Sequence, residues 1–291
     1  MHVFEDDSRY SKNLRQFIEN VKVSDGTFEI FRVQPQPERK TNLPPIVFLP
    51  GWGATPKSYQ DTLAKFAEGG RDMISLRYLP NLPKINSIFR RDRAKNELLE
   101  EAEQLRQVLG DKLGLSEVDV IAHSRGAALA VELVKASIKN RDKSRLKFRK
   151  IAFVGPGSFR KRDSILRIGL GFGADMTSDV WKMHIAKVTP PSMQRRLRNA
   201  LIEEMKYVSS YLPWMTRQAA LLGTLHNFDD VKMFEREGIG VTIIYAQDDK
   251  VFPPDSPQNP EFSKRHIFSG NHFSLISNSE EYAEELGKIL N

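Results

Sequence analysis

The chain contains no cysteine in 291 residues. That absence excludes disulfides, zinc fingers, Cys-ligated iron–sulfur clusters and a cysteine nucleophile, and it leaves the redox compartment unreadable. Long hydrophobic runs are also missing. No stretch approaches the roughly 18 consecutive apolar residues of a spanning helix, so no transmembrane segment is expected. Met1 to Asn20 is polar and lacks the apolar stretch of a secretory signal, which makes the cytoplasm the expected compartment. There is no internal repeat and no low-complexity tract. What remains is ordinary globular material: 40% hydrophobic and 28% charged residues, enough apolar side chain for a sizeable core. A net charge of +7 bears mainly on solubility; it permits anionic partners without specifying one.

Short apolar runs alternate with helical patterns along most of the chain. Residues 8–20 fit a short amphipathic helix. Val21–Val23 and Phe28–Val33 flank Ser24-Asp25-Gly26-Thr27, a hairpin signal through its Asp-Gly pair. Strands are expected at Ile46–Leu49, Met73–Leu76, Val118–Ala122, Ile151–Val154, Val241–Ala246 and His266–Phe268. Helices are expected at Ser58–Ala67, Ala94–Leu109, Gly126–Ile138 and Glu280–Leu290. Strand alternating with helix predicts an α/β protein, its mainly parallel sheet covered on both faces.

Residues 158–225 break the alternation. They contain no good strand and read as three or four helices, broken at Pro190-Pro191. The expected organisation is therefore a core of residues 1–157 and 226–291 with a helical insertion at 158–225. Eleven Lys/Arg against five Asp/Glu put +6 of the net charge into that insertion. Gly169-Leu170-Gly171-Phe172-Gly173 superficially resembles a nucleotide-binding loop. It follows no strand and lacks the third spacing, so it reads as a flexible joint.

Four motifs carry chemistry. In Val118-Asp119-Val120-Ile121-Ala122-His123-Ser124-Arg125-Gly126-Ala127-Ala128, a buried strand runs directly into a serine and then a helix. The residues two before and two after the serine must be small where strand and helix backbones nearly touch; here they are Ala122 and Gly126. Such a turn lifts the hydroxyl above the sheet, at the positive end of the helix. The second motif is Ile46-Val47-Phe48-Leu49-Pro50-Gly51-Trp52-Gly53, a strand ending in a tight turn. The third, Val241 to Pro253, is an apolar strand ending in Asp248-Asp249. The fourth is Phe268-Ser269-Gly270-Asn271-His272-Phe273, ahead of the last helix.

These motifs, in this order, resemble the α/β-hydrolase family, and the likeness runs from about Val21 to Leu290. The resemblance implies an α/β-hydrolase fold with Ser124 as nucleophile, in an Ala-x-Ser-x-Gly variant of the family's Gly-x-Ser-x-Gly. It implies an oxyanion hole from the backbone N–H groups of Trp52 and Arg125, with Pro50 replacing the usual His of the first loop. Two such donors supply about 3 kcal/mol each. The family's acid sits about four residues before a proline, which selects Asp249 over Asp248. Gly155-Pro156-Gly157, at the alternative acid position, holds no carboxylate. His272 takes the place of the base. Of the other histidines, His123 is expected to point away from the serine by strand alternation; His2, His184, His226 and His266 do not compete.

The implied activity is serine-dependent hydrolysis of a carboxylic ester with an apolar acyl part, through an acyl-enzyme. The triad equally suits a thioesterase, a C–C hydrolase or a non-catalytic ligand-binding member of the fold. Family members with Asp at the elbow, such as epoxide hydrolases and haloalkane dehalogenases, form alkyl-enzyme esters, which Ser124 disfavours. The insertion would be the family's helical cap. Some of Phe172, Trp181, Met183, Met193, Tyr207, Tyr211, Trp214 and Met215 would line the acyl pocket, with Trp52 as a further wall. Its positive charge reads either as a solvated face, the usual case, or as attraction for an anionic acyl-CoA, ester or lipid surface. No cofactor, metal or nucleic acid is expected, and the chain is expected to be a monomer or a homodimer.

Overall fold

The computed structural model describes residues 2–3, 14–81, 91–142, 145–159, 167–171, 173–175, 227–255 and 264–291, with 202, 206, 209–211, 214–222 and 225 between them. Its alternating strands and helices build one nine-stranded sheet. The strands are β1 (His2–Val3), β2 (Leu14–Val23), β3 (Gly26–Pro35), β4 (Ile46–Leu49), β5 (Met73–Pro80), β6 (Glu117–His123), β7 (Lys147–Val154), β8 (Gly240–Ala246) and β9 (Arg265–Phe268). Their order across the sheet is β1-β2-β3-β5-β4-β6-β7-β8-β9. The pairings β1–β2, β2–β3 and β3–β5 are antiparallel; every pairing from β5 through β4 to β9 is parallel.

The parallel strands are buried on both faces, which is why they read as continuous apolar runs. Val47, Leu49, Val120, Ala122, Ile151 and Phe153 face α2 (Arg91–Gln107), α3 (Arg125–Lys139) and α4 (Phe228–Arg236). Ile46, Phe48, Ile121, Ala152 and Val154 face α1 (Gln60–Glu68) and α6 (Ser279–Leu290), which follows the short α5 (Ser274–Ser277). The helix over 214–222 packs on the first of these faces through Trp214, Met215, Leu221 and Leu222. The candidate site gathers at the carboxyl ends of β4, β6, β7, β8 and β9. At the other end, Asp119 is fully buried and bridges Arg71 and Arg149.

Two expectations are corrected. Residues 14–20 are not helical. They belong to β2, and of the remaining expected helix 8–13 lies outside the described residues. The Ser24-Asp25 turn pairs Val23 with Gly26, and the register then runs unbroken to Leu14 opposite Pro35. Ten residues of ladder and cross-strand contact outweigh a weak helical periodicity. The second correction concerns the glycine-rich joint. Residues 167–171 and 173–175 are helical, and a Cβ on Gly171 would lie 2.8 Å from the Lys250 carbonyl carbon. Gly171 is a packing glycine that lets this helix touch the backbone of the loop after β8.

α4 was not foreseen. Asp229 and Asp230 in its first turn and Arg236 in its last suit the helix dipole, and Val231 and Phe234 are buried. Within 158–225, the described residues with regular structure are all helical. Pro190-Pro191, Phe172, Trp181, Met183, Met193 and Tyr207 lie outside the described residues. No described helix is long and apolar enough to cross a membrane.

Candidate active site

The turn from β6 into α3 is the most constrained point of the described backbone. Ser124 has φ 53° and ψ −115°, and among the described residues it is the one non-glycine with positive φ. Such a conformation costs about 1–3 kcal/mol and persists only where its surroundings enforce it. Here the Ser124 N–H donates to the Val154 carbonyl at 2.9 Å, and the Ser124 carbonyl accepts from the Ala127 N–H at 3.1 Å. Gly126 lets α3 start against β4: a Cβ there would sit 2.8 Å from the Leu49 carbonyl carbon. Gly126, one of the two small residues expected around the serine, is thus required sterically.

The loop after β4 lies against this turn. A Cβ on Gly51 would be 3.2 Å from the Ser124 Cβ. The loop is held at both ends, since Gly51 N–H donates to Tyr59 Oη at 3.3 Å and Trp52 Nε1–H donates to the Met215 carbonyl at 2.9 Å. Trp52 is therefore anchored by the helix over 214–222. That helix also reaches Arg125, whose guanidinium lies 4.7 Å from the Trp214 ring centroid. Arg125 is buried and doubly hydrogen-bonded to buried Glu101. Pro50 to Ala54, Leu76, Arg77, Tyr78, Glu101, Arg125, Leu129 and Trp214 line a shallow cleft open to solvent beside this loop.

Asp249 and His272 meet across the ends of β8 and β9. Asp249 Oδ2 accepts from His272 Nδ1 at 2.9 Å, and Oδ1 accepts from the Phe252 N–H at 2.7 Å. Both side chains are almost fully buried, whereas Asp248 is exposed. Burial pushes the Asp249 carboxyl up. The His272 charge and hydrogen bond, with the Phe252 amide, outweigh that and hold it below its ordinary value. Gly155, at φ 51°, leaves room for the pair: a Cβ there would be 3.1 Å from His272 Nδ1 and 3.3 Å from Asp249 Oδ2. The structure thus brings Asp249 and His272 together. Ser124 stands on the adjacent turn, but among the described residues its hydroxyl makes no hydrogen bond to His272. Catalytic hydrogen bonds often close only once substrate is bound.

Two neighbours of His272 escaped the sequence reading. The His123 ring packs on His272, with centroids 4.8 Å apart and planes tilted by 35°. Its Nε2 donates to the His272 carbonyl at 3.0 Å, which leaves Nδ1 to accept from Tyr59 Oη at 2.7 Å. A directed chain therefore runs from the Gly51 N–H through Tyr59 and His123 to the His272 backbone. Burial, with the nearby His272 charge, pushes His123 down to about 3, so the ring is neutral. The other neighbour is Asp175, on the helical stretch 173–175. It is 1% exposed, and its Oδ2 accepts from the Lys250 N–H at 3.0 Å and the His272 N–H at 3.4 Å. Burial pushes this carboxyl up, against the pull of the Lys250 amide. Only contacts between distant segments reveal either role, and no local pattern signals them.

Sheet order, strained serine turn and buried acid–base pair define an α/β-hydrolase architecture. The Alpha/beta hydrolase family model matches residues 46–285, and the chain belongs to that family. No curated protein matches the sequence. Among solved structures, an esterase from Exiguobacterium antarcticum is 14% identical, with TM-score 0.60, over 94% of this chain and 98% of that one. An epoxide hydrolase from Vigna radiata is 13% identical, with TM-score 0.60 and the same coverage of both chains. A bromoperoxidase from Bacillus anthracis is 17% identical, with TM-score 0.58, over 94% and 99%. At such identities the likeness is one of fold.

Proposed function

We propose that the protein is a serine hydrolase that cleaves carboxylic esters with an apolar acyl part through an acyl-enzyme. The observation that carries this is the buried Asp249–His272 hydrogen bond at 2.9 Å, beside a serine held at φ 53°. In this reading Ser124 Oγ attacks the ester carbonyl carbon while His272 takes its proton. The tetrahedral oxyanion is met by the Trp52 and Arg125 N–H groups. His272 then returns the proton to the departing alkoxide, and water repeats the sequence on the acyl-enzyme. Asp249 holds the imidazole tautomer and balances the imidazolium charge. His123, neutral and with both nitrogens engaged, does not take the proton. Serine at the elbow supports an acyl rather than an alkyl intermediate. The cleft beside Trp52 is the proposed acyl site, and residues 158–225 are the proposed cap over it.

The test is hydrolysis of p-nitrophenyl esters with acyl chains of about two to sixteen carbons, wild type beside Ser124→Ala. A single chain-length optimum in the wild type, and loss of at least about 10³-fold in the variant, is the expected result. Folded wild type that turns over no ester but cleaves acyl-CoA thioesters makes the protein a thioesterase. Inactivity on both, with no labelling by a fluorophosphonate, makes it a binding member of the fold.

A further inference from the structure

The stretch 167–175 meets the acid and base loops along one face. Arg167, Gly171 and Asp175 all touch these loops. Arg167 Nη2 donates to the Val251 carbonyl at 2.9 Å. Gly171 lies flat on the Lys250 carbonyl. Asp175 accepts the Lys250 and His272 main-chain N–H groups. All three contacts fall on the loop that follows Asp249, or on His272 itself.

A buried carboxylate close to Asp249 is unfavourable on its own account, through desolvation and like charge. What it gains here is two main-chain donors, one on each side of the Asp249–His272 pair. His272 is then gripped at three points: its carbonyl by His123, its ring by Asp249, its N–H by Asp175. The third grip comes from the inserted segment, 97 residues away in sequence.

We propose that Asp175 is a positioning residue that couples seating of the inserted helix to the placement of His272, so that the acid–base pair is in register only while the helix is docked. This rests on the hydrolase reading for its kinetic consequence, though not for its structural one. When the helix lifts, the Lys250 and His272 N–H groups lose their acceptor and the two loops are free to part. A displacement of about 1 Å at a catalytic group costs on the order of 10²-fold in rate. Asp175 touches no reacting atom; it acts through His272.

The experiment combines ester kinetics with proton NMR of the low-field His272 Nδ1–H resonance, assigned by its loss in Asp249→Asn. Asp175→Ala is expected to lower kcat by about 10- to 100-fold, with KM within about threefold, and to broaden or shift the resonance. Asp175→Asn keeps an acceptor oxygen and is expected to restore most of kcat. Gly171→Ala lifts the helix without altering Asp175 and is expected to reproduce the kcat loss, which guards against an Asp175→Ala variant that fails to fold. Wild-type kcat and an unchanged resonance in folded Asp175→Ala and Gly171→Ala overturn the proposal. Absent ester turnover in the wild type, with a resonance still dependent on Asp175, sinks the ester-hydrolase reading and leaves the positioning role standing.

Discussion

Asp248 and Asp249 are chemically identical neighbours, and burial separates them. Asp249 is 2% exposed and hydrogen-bonded to His272; Asp248 is in solvent. Asp249→Asn is expected to cut kcat by about 10²- to 10⁴-fold, because an amide cannot balance the imidazolium and permits the wrong tautomer. Asp248→Asn is expected to stay within about twofold of wild type, measured in the same ester assay. His123 makes a pH prediction. Above about pH 6.5 its ring is neutral in folded and unfolded chains alike. Below that, the unfolded chain takes up a proton that the folded chain refuses until about 3. This site therefore removes stability as pH falls from about 6.5, by up to about 1.4 kcal/mol per pH unit. Urea unfolding at pH 7.5 and 5.0 is expected to show that loss, and in His123→Gln the difference should shrink by about 2 kcal/mol. An unchanged difference would place the pH sensitivity elsewhere.

At the scale of elements, the site is a meeting of loops, and each loop is set by a close backbone approach. Gly126 lets α3 begin on β4, and this junction decides where Ser124 stands. Gly126→Ala is expected to cost about 1–3 kcal/mol by overpacking and to lower kcat as the turn shifts, read by thermal unfolding and kinetics together. The helix over 214–222 holds Trp52 and stacks on Arg125. The helical residues 167–171 and 173–175 hold the loops after β8 and β9 through Arg167 and Asp175. Trp214 and Met215 thus reach Arg125 and the Gly51 loop, while Arg167 and Asp175 reach the loops after β8 and β9. Of the residues lining the cleft, Trp214 comes from 158–225 and the others from the strands, helices and loops of the sheet-bearing part.

At the scale of the molecule, charge is uneven, with most of the net +7 between residues 158 and 225. Two of the described cations there are already committed, Arg167 to the Val251 carbonyl and Arg217 to Glu97. The expected outcome is a solvated basic face. KM for a carboxylate-bearing ester should stay flat as salt rises from about 0.05 to 0.5 M, a range in which the screening length shrinks from about 14 to 4 Å. A KM that climbs with salt would instead identify steering of an anionic substrate.

The sequence by itself determined the alternation of strand and helix, the serine turn with Ala122 and Gly126 around it, and the Ser124–Asp249–His272 order. These are local matters. Side-chain periodicity, steric room at a turn and residue type at the end of a strand all act within about ten residues. The same locality misled at Leu14–Asn20, where a weak helical pattern yielded to pairing with β3, and at Gly171, where a packing contact read as a joint. Only the tertiary structure decided that Asp249 is buried and Asp248 is not. Only it decided that His123 and Tyr59 link the Gly51 loop to His272, that Met215 anchors Trp52, and that Asp175 closes on the His272 backbone. Apart from the Gly51–Tyr59 bond, those partners lie 64 to 163 residues apart. They interact only because distant loops lose their water together at the carboxyl ends of the sheet, where a polar group left without a partner is expensive.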